Sequence, residues 1–129
     1  MRRLLLFLLI VFPLMLSAQK EIKLKRKYFG KYKGMVAGYQ MNSGIELIDI
    51  GETPIVVLID KEQIYITIGD RKLVGTYTVM FKAQKYYLLD AEIDGQLANE
   101  RILVYFRGKR ISRDGMYPQP VTELKKTKK

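Results

Sequence analysis

The sequence predicts an all-β domain, an antiparallel meander of about eight short strands closed or nearly closed into a small barrel. Three observations predict it. Apolar and polar residues alternate with period two in segment after segment, most cleanly where Ile64, Ile66 and Ile68 alternate with Tyr65 and Thr67. Short clusters of Gly, Asn, Asp and Lys punctuate those segments. No segment of the body carries a sustained 3.6-residue apolar stripe; a single helical turn is expected at residues 96–101. Strands joined by short turns usually neighbour one another, and closing so many of them removes exposed edges.

Four regions follow along the 129 residues. Residues 1–18 read as a signal peptide, the alternative being an uncleaved N-terminal anchor. Met1, Arg2 and Arg3 form a basic start, an apolar run follows over residues 4–16, and Ser17 and Ala18 supply small residues for cleavage. That run would make a helix of about 20 Å, short of the roughly 30 Å hydrocarbon core. Export to the periplasm or outside the cell is therefore expected. The chain contains no cysteine, which excludes a lipoprotein anchor, disulfides and thiolate metal sites. Residues 19–29 read as a basic N-terminal arm that becomes ordered near Tyr28. Residues 30–116 read as the barrel, and residues 117–129 as an extended basic tail introduced by Pro118 and Pro120.

Within the barrel region the expected strands come in order. Residues 30–41 read as one long bent strand with Gly30, Gly34 and Gly38 at four-residue spacing. Three glycines would cost a helix about 1 kcal/mol each relative to alanine, whereas glycine in a strand marks a bend. Asn42, Ser43 and Gly44 turn the chain into a strand over residues 45–50. Residues 53–69 form the strongest hairpin. In its first arm Ile55, Val57 and Ile59 face one way and Val56 and Leu58 the other, so both faces are apolar; the second is expected either to be covered by the N-terminal arm or the C-terminal tail or to form a lipid- or partner-facing patch. Residues 73–82 place Leu73, Gly75, Tyr77, Val79 and Phe81 together. Residues 86–93 turn Tyr87, Leu89, Ala91 and Ile93 inward and Asp90, Glu92 and Asp94 outward. Residues 101–107 and 110–113 supply the last two strands.

The formal net charge of +10 sits at the ends of the chain. Residues 20–33 contribute +6 and residues 123–129 contribute +3, whereas residues 34–122 carry ten basic and eleven acidic side chains. Lys23, Lys25, Arg26, Lys27, Lys125 and Lys126 are therefore candidates for contact with an anionic membrane or polymer surface, the bland alternative being solvated flexible ends. Nucleic acid is disfavoured as a partner because of export and because no basic residues are seen to interleave with aromatics on one body face.

Catalysis is disfavoured too. The chain has no histidine and no cysteine, and neither Ser43 nor Ser112 sits in a nucleophile elbow. A carboxylate-based hydrolase using Asp90, Glu92 and Asp94 remains open, although any acidic strand face offers the same spacing. Those three residues also begin a calcium-loop pattern, but Arg101 stands where a bidentate Glu is required, so they are weak metal candidates. No cofactor is expected. Tyr32, Tyr39, Tyr77 and Tyr87 are candidate ligand-binding aromatics, or simply the large packing residues of a chain without tryptophan. Arg107, Lys109, Arg110 and Arg113 cluster around the last turn and read as a solvated hairpin tip, or alternatively as an anion site.

Gly30, Lys31 and Tyr32 resemble the lipocalin entry motif, a glycine, one residue and an aromatic at the start of the first strand, and the eight-stranded up-and-down order over residues 30–113 is similar in outline. The resemblance implies an extracellular or periplasmic barrel with a small apolar ligand at its mouth, Tyr32 being the family's aromatic position. Tryptophan is absent and no long helix follows the strands. The expected function is an exported, non-catalytic binding protein for a small apolar ligand or an envelope-protein surface. The alternative is an envelope-associated module that uses its basic ends on anionic surfaces. An internal apolar pocket would separate the two, and an interior filled by side chains such as Met35, Tyr39, Ile64, Tyr77, Leu89 and Val104 would leave no room for the first kind of ligand.

Overall fold

Alternation along each strand assigns one set of side chains to the interior of a closed sheet. The computed structural model describes residues 22–115 and 119–127; the expected signal peptide, residues 1–18, lies outside them. A 3-10 turn (Arg26–Tyr28) precedes ten strands, β1 (Gly30–Val36), β2 (Tyr39–Asn42), β3 (Leu47–Ile50), β4 (Thr53–Ile59), β5 (Gln63–Ile68), β6 (Arg71–Lys82), β7 (Tyr86–Ile93), β8 (Glu100–Tyr105), β9 (Arg110–Asp114) and β10 (Thr122–Lys126). Eight of them close into an antiparallel barrel in the order β1–β4–β5–β6–β7–β8–β9–β10, with β10 returning to β1. The all-β meander is thus observed.

Its eight members differ from those expected. The first strand breaks at Ala37 and Gly38 rather than bending. The chain then leaves the barrel as the separate β2–β3 hairpin and re-enters at β4, which pairs with β1 from Gly30↔Ile59 to Val36↔Thr53. The vacant place in the barrel is taken by β10, from the region expected to be an extended tail. Thr122 and Leu124 point inward while Glu123 and Lys125 point outward, a period-two strand whose lysines gave it the look of a tail. The chain turns at Asp94 and Gly95 and bends at Leu97 and Ala98, and the expected helical turn is absent.

Tyr32, Val36, Ile55, Val57, Ile59, Ile64, Ile66, Tyr87, Leu89, Ala91, Ile93, Ile102, Val104, Ile111 and Leu124 fill the interior. The β4–β5 hairpin is as expected, with Ile55, Val57 and Ile59 inward and facing Ile68, Ile66 and Ile64 across the pair. On its second face Val56 is half-buried and Leu58 exposed among the described residues; Leu58 lies between Lys31 and Tyr65, and Tyr65 opposite Val74. Met35, named as an interior residue, points to solvent. Phe81 does too, because a bulge between Val79 and Phe81 shifts the register and reverses the facing of the strand end. Two glycines permit close strand approach. A Cβ on Gly75 would lie 2.1 Å from the Glu92 carbonyl oxygen, and one on Gly34 would lie 2.7 Å from that of Glu123.

The barrel has two unlike rims. The upper rim holds the start of β1, the end of β10 and the turns β4–β5, β6–β7 and β8–β9. The N-terminal segment closes it: Leu24 and Tyr28 are buried in the same cluster as the barrel interior. The lower rim carries the β2–β3 hairpin and the β7–β8 and β9–β10 connections. Just inside it Arg113 (2% exposed) and Glu100 (1% exposed) form a bidentate pair, Nε to Oε1 at 2.6 Å and Nη2 to Oε2 at 2.9 Å. Arg113 Nη1 also donates to Gln119 Oε1 at 3.1 Å. Arg113 therefore leaves the basic group expected at the last turn: it shares the inward face of β9 with Ile111, two residues away.

Candidate functional site

The upper rim is where the chain's two basic ends meet. Closure sets Lys33 of β1 opposite Lys125 of β10, and Lys125 opposite Arg110 of β9, so three cations stand side by side on the outer wall. Lys126 Nζ donates to the Lys27 carbonyl oxygen at 2.8 Å, and the Thr127 backbone N–H donates to that of Lys31 at 2.9 Å. These bonds tie the N-terminal segment to the end of the last strand. Lys23, Lys25, Arg26 and Lys27 are exposed beside them, as is Lys125, while Lys126 is half-buried. Like charges directly opposite on neighbouring strands are destabilising. The cross-strand relief is an exposed Arg110–Glu123 pair at 3.4 Å, of a kind that contributes about 0–1 kcal/mol.

Aromatics continue the same band around the wall. Phe81 of β6, Tyr86 of β7 and Tyr105 of β8 form a row, with ring centroids 6.4 and 6.1 Å apart. The Arg110 guanidinium carbon lies 3.9 Å from the centre of the Tyr105 ring, joining the aromatic row to the cationic one. A groove of about 660 Å³ opens here, lined by Gln84, Lys85, Tyr86, Tyr105, Phe106, Arg107 and Arg110. Its floor is aromatic and its charged lining wholly basic. Basic and aromatic residues thus do interleave on one face of the body, contrary to the sequence reading. Tyr86 and Tyr105 were legible as outward because Tyr87 and Val104 point inward. Their pairing needed the β7–β8 register, Tyr86↔Tyr105.

The four candidate tyrosines do not converge. Tyr32 is buried and donates its hydroxyl to the Tyr28 carbonyl oxygen at 2.7 Å; burial, and secondarily Tyr28, pushes its pKa up to about 12. Tyr87 is buried edge-on against Tyr28 and Phe106, with centroids 5.5 and 5.1 Å away. Tyr77 is half-buried on β6. Its hydroxyl reaches the Asp60 and Lys61 carbonyl oxygens at 2.5 and 3.0 Å, and burial, then Asp60 and Glu62, push its pKa up to about 12. Tyr39 is half-buried at the base of the β2–β3 hairpin, near the other rim. Tyr77 lines a groove of about 400 Å³ with Leu24, Phe29 and Val79, and Tyr32 one of about 290 Å³ with Tyr28 and Phe106; Tyr39 and Tyr87 line neither.

The carboxylates are also apart from this end. Asp90 is half-buried and accepts from Asn99 Nδ2 at 3.0 Å, while Glu92 and Asp94 are exposed. Among the described residues no three His, Cys, Asp or Glu side chains are grouped to hold a metal ion. No family model matches the chain, and neither a curated protein nor a solved structure matches it.

Proposed function

We propose that this protein is an exported, non-catalytic β-barrel module that docks on an anionic surface of the cell envelope through its upper rim. The observation that carries the reading is the closure of β10 on β1. It merges two basic flanks nearly a hundred residues apart in sequence into one face, with Lys33, Lys125 and Arg110 in adjacent register. Each lysine or arginine near an anionic surface contributes about 1 kcal/mol, so a patch of this kind suffices for reversible docking. The absence of histidine and cysteine supports a non-catalytic role. The lipocalin-like likeness is kept as architecture: the barrel is eight-stranded, antiparallel and closed.

The test is binding of the chain beginning at Gln19 to anionic and neutral phospholipid vesicles, and separately to an acidic polysaccharide. Lys33→Glu with Lys125→Glu should weaken binding by roughly a thousandfold at low salt, from about 1 kcal/mol per charge lost and as much again per charge reversed. Arg71→Glu with Lys72→Glu, an equal charge change at the other rim, should have a much smaller effect. Equal losses for both pairs, or no binding to either surface, would overturn the reading.

A further inference from the structure

The two rims carry complementary chemistry. The β2–β3 hairpin leaves the lower rim and pairs only with itself, through Tyr39↔Ile50, Gln40↔Asp49, Met41↔Ile48 and Asn42↔Leu47. An isolated two-stranded hairpin is marginal in water, and a projecting one with open edges is a ready template for contact. Here it also presents apolar side chains. Ile45 at the tip is 96% exposed, Leu47 is 64% exposed, and Met41 and Ile48 are exposed beside them. Neither strand carries the lysine or proline that commonly guards an exposed edge. Residues 37–54, which span the hairpin and its connections, contain Glu46, Asp49 and Glu52 and not one lysine or arginine. The tip is therefore apolar and acidic together. The groove on the upper rim is apolar and basic together, with a floor of Tyr86, Tyr105 and Phe106 between Lys85, Arg107 and Arg110.

The geometry points to a second copy of this chain as the occupant: the hairpin of one molecule seats in the upper-rim groove of the next. Ile45 packs on the aromatic floor, and Glu46 and Asp49 face the flanking cations. Because donor and acceptor surfaces lie at opposite ends of the barrel, the contact is heterologous and leaves a free hairpin and a free groove on every pair. Association therefore continues beyond the dimer into head-to-tail chains. A small contact of this kind belongs to the weak, transient class, and its electrostatic part is salt-sensitive. It uses the β7–β8–β9 side of the rim and leaves Lys33 and Lys125 outward on the β1–β10 side, sharing Arg110 with the anionic-surface reading.

Complementary charge reversal tests it. Glu46→Lys with Asp49→Lys gives a hairpin-reversed protein, and Lys85→Glu with Arg107→Glu gives a groove-reversed protein; all four side chains are exposed. In sedimentation over concentrations reaching about 1 mM, the wild type should grow past the dimer. Its association should weaken roughly tenfold or more as ionic strength rises from about 0.05 M to about 0.5 M. Each reversed protein alone should stay monomeric, because both of its docking surfaces then carry the same sign. An equimolar mixture should associate again, each reversed hairpin seating in the other protein's reversed groove and each native hairpin in a native groove. A wild type that stays monomeric, a wild type that stops at a dimer through hairpin–hairpin pairing, or a mixture that fails to regain association would each overturn the proposal.

Discussion

Removing one partner of the buried Arg113–Glu100 pair should be the most damaging single polar change in the barrel. With Glu100→Ala, a guanidinium that is 2% exposed keeps only the 3.1 Å bond to Gln119. It loses contacts at 2.6 and 2.9 Å to a carboxylate that is itself sealed from water. Stranding a buried charge in this way costs about 3–5 kcal/mol. For a domain of this size each kcal/mol shifts Tm by about 4–8 °C, so a fall of roughly 12–40 °C is expected, enough to unfold a marginal domain near room temperature. Arg113→Ala should lose a similar amount. Replacing both partners, Glu100→Leu with Arg113→Met, should instead be neutral or raise stability by up to about 4 kcal/mol, because both desolvation penalties disappear together. Urea unfolding of the four proteins completes a double-mutant cycle whose coupling energy reads the pair directly. Single variants that lose less than about 1 kcal/mol, or a double variant as unstable as the singles, would refute the assignment of a buried, mutually compensated pair.

Further outcomes follow from the packing and the titrations. Gly75→Ala would drive a Cβ into the Glu92 carbonyl oxygen at 2.1 Å and the Ile93 Cα at 2.9 Å, backbone atoms that cannot move aside. Its loss should exceed the roughly 1–3 kcal/mol of ordinary overpacking, whereas Gly51→Ala, with nothing within 4 Å, should change the urea midpoint little. Leu24→Ala should cost about 2 kcal/mol if the N-terminal segment is part of the barrel core, and an unchanged thermal midpoint would show that it is not. The pKa values of Tyr32 and Tyr77, raised from 10.0 to about 12, mean that the folded state holds protons the unfolded chain releases. Their contribution to stability is complete below about pH 10 and is lost as pH rises through about 12. Phenolate absorbance should show two late-titrating tyrosines in the native protein that Tyr32→Phe and Tyr77→Phe remove one at a time; a native titration with no late group would contradict this.

The period-two alternation in residues 53–69 and 86–93 determined their strands and inward faces, because a strand that buries one face must alternate. Composition determined more: without cysteine the domain must stand on its core, and without histidine the commonest general base at neutral pH is missing. Which strands share the barrel was a tertiary decision. Residues 45–50 alternate as well as residues 122–126 do, and only closure of the ring assigned the first to a projecting hairpin and the second to the place between β9 and β1. The direction of Arg113 was decided by the partner waiting across the interior, since a lone buried arginine would be prohibitive and a paired one is not. The candidate site depended on the tertiary structure most of all. Lys33 and Lys125, or Tyr86 and Tyr105, are unremarkable residues until antiparallel register sets them opposite each other. A single strand's alternation specifies its faces, but its neighbours are specified only by the folded sheet.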